Sequence, residues 1–247
     1  MANEALLSTV IKEGIGELAL NNPARKNALS KTLLNDLNNA LKSMAAEGVR
    51  VVILTGSNKT FSAGADFEDL TGTIADKAID KAIEEVVLQI RNLSIPVIAA
   101  VEGPCLGGAV DITLACDLNV ASEQAFFEVP ATRLGLLYNP EAVQRWHTRL
   151  SSSTLRRILL LGEKLTATEA SYLGIVSHVV PEGSALETAH QFANRIKDAS
   201  QTAVASTKHL LGALENGETD LAEWTQVYEQ SLDSPERRDL VSRLKDS

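Results

Sequence analysis

Two continuous apolar runs that end in glycine, VVILTG from Val51 and VIAAVEG from Val97, constrain the fold more than any other feature. Neither alternates polar with apolar residues, so neither leaves a face for water, and each reads as a strand buried on both sides. Such strands belong to parallel sheets, whose neighbours must be joined by a crossover long enough for a loop and a helix. The intervening chain supplies both: a polar loop of small residues, SNKTFSAGAD, then a helical pattern over about 76–92.

The flanks extend this pattern. ALLSTVIKEGIGELALN reads as two short strands about the turn residues EGIG. Ser30 caps a helix whose apolar residues Leu33, Leu34, Leu37, Leu41 and Met44 recur at helical spacing, and Gly48 ends it. LNVAS and QAFFEV are two further short strands. From Glu141 the chain is mainly helical, broken by IVSHVV, and from Ser184 it shows no strand pattern. The expectation is an α/β fold: a mixed-sheet core over 1–183 and a C-terminal helical region over 184–247. With 247 residues, 45% of them hydrophobic, the chain can bury a substantial core.

A formal charge of −9 and a pI near 5.0 weigh against nucleic acid or an anionic membrane surface as partner. Cys105 and Cys116 are the two cysteines, too few for a disulfide framework, which favours a reducing compartment. The N-terminus lacks a basic segment followed by a long apolar one, and no run approaches the roughly 20 apolar residues of a membrane span. A cytoplasmic protein is expected. His147, His178, His190 and His209 show no metal-ligand spacing.

Chemistry is suggested by two glycine-bearing turns, SAGAD at 62–66 and LGGAVD at 106–111. Glycine and alanine there let a ligand approach the main chain. A helix starting near Gly108 would point unpartnered amides and the positive end of its dipole outward, where they can hold an oxyanion. Either turn alone is equally an ordinary tight turn.

Together with NNPARKNALS, VVILTGSNKTFSAGADFEDL, IPVIAAVEGPCLGGAVDITLACDLNVAS, FFEVPATRLGL and LTATEASYLGIVSHVV, these turns resemble the enoyl-CoA hydratase/isomerase (crotonase) superfamily. The matching segments fall in family order over about 20–181. The resemblance implies a spiral of ββα turns followed by helices that build a homotrimer, often paired into homohexamers. It implies an acyl-CoA thioester as substrate, with coenzyme A as part of that substrate and no separate cofactor. By carry-over, the amides of Ala65 and Gly108 would hold the thioester enolate. Arg25 and Lys26 would meet the CoA adenine and phosphates, and Ala63 would line the adenine pocket.

Hydratases of this family carry two glutamates. Asp111 stands at the first position, three residues after Gly108, and Ala131 replaces the second, after Phe127-Glu128-Val129-Pro130. Hydration divides water activation and proton delivery between two carboxylates, whereas isomerisation needs one shuttle and decarboxylation of a malonyl-type thioester needs no base. RLGLLYNP also resembles the methylmalonyl-CoA decarboxylase branch, with Tyr138 in the place of its substrate-facing tyrosine. Glu128, an odd number of residues from Ala131 in a strand, points away as a substitute. Glu141 after Pro140 reads as a helix-start carboxylate. The expected activity is therefore isomerisation or decarboxylation through an enolate, with Asp111 and Tyr138 as site residues. The alternatives are an ordinary enoyl-CoA hydratase and a non-catalytic CoA-binding or scaffold homologue.

Overall fold

The computed structural model describes residues 5–245; residues 1–4, where the sequence was read for a leader, lie outside it. In chain order come β1 (Leu7–Lys12), β2 (Ile15–Leu20), α1 (Lys31–Ala46), β3 (Val51–Gly56), α2 (Lys77–Asn92) and β4 (Val97–Val101). They are followed by β5 (Pro104–Leu106), α3 (Gly108–Ala115), β6 (Leu118–Ser122), β7 (Phe126–Glu128), α4 (Pro140–Arg149) and α5 (Ser152–Leu160). Last are β8 (Leu165–Thr166), α6 (Ala167–Tyr172), β9 (His178–Val180), α7 (Ala185–Lys197), α8 (Gln201–Glu215), α9 (Ala222–Leu232) and α10 (Pro235–Lys245).

The strands form two sheets. The larger has the order β1-β2-β3-β4-β6-β9, parallel throughout except for the β1–β2 hairpin. The smaller joins β5, β7 and β8, and parallel bridges Leu29–Ala65 and Ser62–Cys105 extend it backbone by backbone. After β3, β4 and β6, the chain leaves the large sheet and crosses to the small one. That repeated step is the ββα spiral the resemblance implied. Two of its short strands, β5 and β8, carried no legible pattern, because three and two residues are too few to show a period.

The unbroken apolar runs now have their reason. Along β3, Val52 and Leu54 face a core shared with α1, α2 and α3, while Val51 and Ile53 face the opposite side. There α7 lies against the sheet through Ala185, Ala189 and Ala193. Alanine keeps this helix close, and both faces of β3 and β4 stay dry. The helical region from 184 onward thus begins with a helix packed on the core.

On the first face, Ser30 caps α1 by accepting from the Leu33 amide at 3.2 Å. The helix then buries Leu33, Leu34, Leu37, Leu41 and Met44. Each such side chain contributes about 1.5–3 kcal/mol relative to exposure. α3 is buried along nearly its whole length, so its start is held by packing as well as by hydrogen bonds. Cys105 and Cys116 are both buried and free.

Beyond α7, a buried cation fastens α8 to the core. Lys208 of α8 is buried, and its Nζ donates to the carbonyls of Ile90 and Ile95 at 3.0 Å and to Asp117 at 2.8 Å. Arg91 adds Glu215 at 2.9 Å. No helix among the described residues is long and apolar enough to cross a membrane.

Candidate active site

The two glycine-bearing turns come from successive steps of the spiral and lie against each other. A Cβ on Gly64 would stand 2.8 Å from the Leu106 carbonyl oxygen and 3.6 Å from Gly107 Cα. Gly64 has φ +84°, and Gly107 has φ 54° and ψ −124°. Both conformations strain any residue with a side chain.

Each turn is tied down just before the amide that matters. The Gly64 amide donates to Ser62 Oγ at 3.1 Å, and the Ser62 hydroxyl donates to the Asn27 carbonyl at 2.7 Å. The Gly107 amide donates to the Glu128 carbonyl at 2.8 Å. The next amides, those of Ala65 and Gly108, have no hydrogen-bond acceptor among the described residues. Gly108 opens α3, where the dipole adds positive character. Two free donors next to contacting glycines make an arrangement suited to a developing oxyanion. Ile83 of α2 roofs the second turn, its Cδ1 lying 2.5 Å from where a Gly108 Cβ would be.

Asn27, which sequence reasoning passed over, braces the first turn. It is fully buried at φ 53°, in the left-handed region that asparagine tolerates. Its Nδ2 donates to the carbonyls of Ser57 at 3.0 Å and Thr60 at 2.7 Å. Its Oδ1 accepts from the Asn22 amide and the Ser57 hydroxyl. One side chain thus ties together the loop bearing Arg25 and Lys26 and the loop after β3.

Arg25 and Lys26, paired by the resemblance, are treated differently. Arg25 donates to Asp66 at 2.6 Å and pairs with Glu68, so its charge is met within the chain. Lys26 is exposed, and its side chain has no partner among the described residues. Its carbonyl accepts from the Ala63 amide at 2.9 Å, which sets Ala63 and Lys26 side by side.

Asp111 lies in the first turn of α3 but is enclosed by α4. It accepts from Arg145 Nη2 at 2.9 Å and from the Trp146 indole at 2.8 Å, one bond to each carboxylate oxygen. Arg145 also holds Glu84 of α2 at 2.6 Å, so one guanidinium joins acids from two helices. Burial pushes the Asp111 carboxyl up, while Arg145 and Trp146 pull against that rise. Burial also works against the Arg145 charge, but Asp111 and Glu84 outweigh it and hold the guanidinium protonated. These partners lie more than thirty residues downstream and left no signal in the local pattern around Asp111.

Tyr138 precedes α4 and stacks on Trp146 with ring centroids 5.0 Å apart. Its hydroxyl is within 3.4 Å of the Gly107 carbonyl, which brings it beside the second glycine turn. Burial raises its pKa well above the usual value, with the charges of Asp111 and Asp80 adding, so the phenol stays neutral. Ala131 is buried and presents no polar atom where the second acid was sought. Glu128 is engaged by Arg133, and Glu141 lies in the first turn of α4 behind the Asn139 cap. No group of His, Cys, Asp and Glu among the described residues is placed to hold a metal.

Two outcomes test this geometry. Gly64→Ala forces the turns apart and is expected to lower thioester turnover by about 100-fold or more, measured as kcat. A Gly64→Ala protein with unchanged kcat would remove the turn contact from the site. Asp111→Leu leaves Arg145 with one acid instead of two and is expected to cost roughly 3 kcal/mol in urea denaturation. Unaltered stability would show that the Asp111 bonds contribute nothing to the fold.

Comparison with known proteins shows the family. Residues 10–238 match the family model described as Enoyl-CoA hydratase/isomerase. A 2,3-dehydroadipyl-CoA hydratase from Escherichia coli is 33% identical over 195 residues, which are 78% of this chain and 76% of that protein. The crystal structure of an enoyl-CoA hydratase from Mycobacterium smegmatis superposes with a TM-score of 0.89 at 29% identity, covering 98% of this chain and 97% of that one. A monofunctional enoyl-CoA isomerase from the same organism gives 0.75 at 28% identity, covering 87% and 95%. With its paired glycine turns, its spiral of two sheets and these relatives, the chain belongs to the enoyl-CoA hydratase/isomerase (crotonase) family.

Proposed function

We propose that the protein binds an acyl-CoA thioester with its carbonyl oxygen against the amides of Ala65 and Gly108. The reaction then runs through an enolate and needs no more than one proton-transfer group: isomerisation of an enoyl thioester or decarboxylation of a malonyl-type one. The observation that carries this reading is the pair of free amides at the Gly64–Gly107 contact, with alanine at position 131. Oxyanion donors of this kind are worth about 3–4 kcal/mol each in a transition state. Lys26, without a partner among the described residues, is the cation for the CoA phosphates, and Ala63 beside it lines the adenine site. Tyr138 stays neutral and serves as a hydrogen-bond donor at the acyl end.

Hydration is the second reading, favoured by the activity in the name of the Escherichia coli relative. Against it stand Ala131 at one acid position and an Asp111 whose oxygens are both occupied at the other. The deciding experiment incubates the protein with crotonyl-CoA, a 3-enoyl-CoA and methylmalonyl-CoA and follows the products by mass spectrometry and chromatography. The expected result is loss of CO₂ or an isomer of unchanged mass. Dominant gain of water would overturn the proposal in favour of a hydratase. Absence of any CoA binding heat would overturn it in favour of a scaffold.

We also infer a homotrimer or homohexamer. The support is the row of exposed apolar residues on and beside α8 and α9, including Leu211, Leu214, Leu221, Val227, Tyr228 and Leu232. Light scattering is expected to give three or six chain masses, and a monomer at micromolar concentration would refute the inference.

A further inference from the structure

Enolate chemistry that begins from a C–H bond requires a carboxylate able to take a proton, and the acids around the two turns are mostly engaged. Asp111 has one oxygen on Arg145 and the other on Trp146. Glu84 holds Arg145 through Oε1 at 2.6 Å, and its Oε2 is buried without a hydrogen-bond partner among the described residues. Asp80, one turn earlier on α2, differs from both: it is partly buried and makes no hydrogen bond or ion pair among the described residues.

Its position relates it to the site. Residues three and four apart share a helix face, so Asp80, Ile83 and Glu84 present one surface. On that surface Ile83 reaches Gly108, whose amide opens α3. Helical side chains lean toward the N-terminus of their helix, which carries the Asp80 carboxylate away from Arg145. The Tyr138 hydroxyl lies beside the Gly107 carbonyl, and after burial and Asp111 the charge of Asp80 adds to what keeps that phenol protonated, in keeping with a helix face turned toward the second glycine turn. A solvated first-turn carboxylate would be favoured in its charged form by the helix dipole. Asp80 behaves in the opposite way: burial, with Asp76 adding, pushes its carboxyl up, as suits a group that must hold a proton in passing.

We propose that Asp80 is the proton-transfer residue of this site, moving a proton from C2 to C4 of a 3-enoyl thioester held by the Ala65 and Gly108 amides. The proposal rests on the enolate reading above. In the first step the C2–H bond breaks and an O–H bond forms on Asp80. The electron pair enters the C1–C2 bond, and charge collects on the thioester oxygen. In the second step the dienolate takes the same proton at C4, the double bond settles between C2 and C3, and the Asp80 carboxylate is restored.

The test uses the full chain with 3-hexenoyl-CoA for isomerisation and butyryl-CoA in D₂O for exchange at C2, alongside methylmalonyl-CoA decarboxylation. With wild type active, Asp80→Asn is expected to lower exchange and isomerisation by about 100-fold or more while KM stays within about threefold. Asp80→Glu is expected to recover part of the rate. Because Asp80 holds no partner, Asp80→Asn should leave Tm within about 2 °C, and Glu85→Gln on the same helix should match wild type. An Asp80→Asn protein with undiminished exchange and isomerisation would overturn the role of Asp80 and leave the enolate reading standing. So would a wild type that decarboxylates methylmalonyl-CoA but neither exchanges nor isomerises. A wild type inactive in all three assays would overturn both.

Discussion

The molecule is organised around a contact between two stretches of main chain with no side chain between them. Gly64 and Gly107 meet because Gly64 carries no Cβ, the Leu106 carbonyl occupying the space its side chain would take. Much of the nearby architecture holds the two turns at that separation. The bridges Leu29–Ala65 and Ser62–Cys105 tie the first turn into the small sheet, and pairing of β5 with β7 ties in the second. Asn27 braces the first turn from below, and the Glu128 carbonyl fixes the second. A site made of backbone amides tolerates wide variation in nearby side chains, since the groups that contact the oxyanion are present in any sequence that keeps the turns.

The side chains around that frame decide what chemistry it supports. Arg145 reaches two acids from two other helices, and a charge so enclosed is tolerated because its neighbours compensate it. The same bonds that fasten α4 over α3 occupy the carboxylate that the family pattern would make reactive. Near the glycine turns the chain thus has one aspartate with both oxygens engaged, a buried alanine at 131 and a partly buried aspartate on α2.

Legibility in the sequence followed the range of the interactions. The unbroken apolar strands, the Ser30 cap and the 3.6-residue stripe of α1 are local patterns, and the structure reproduces them. The glycine turns were visible as composition, and family order turned them into a pair. What could not be read was anything that depends on two distant segments meeting. Asp111 carries no local sign of Arg145 or Trp146, and Asn27 looks like one more loop asparagine until its four partners are seen. Asp80 stands in a helical pattern like any other acid there, and only the packing of Ile83 against Gly108 sets its face of α2 apart.

Lys208 carries a consequence for how the chain can be divided. Its ammonium satisfies the last carbonyls around the α2–β4 connection and neutralises Asp117, which in turn accepts from the Val97 amide at 2.7 Å where β4 begins. A chain cut before α8 would therefore lose more than its last helices. It would leave an acid and two inward carbonyls without their cation at the root of a central strand. The spiral and its helical tail share a buried electrostatic anchor, so the sheet core is not a module that can be lifted out intact.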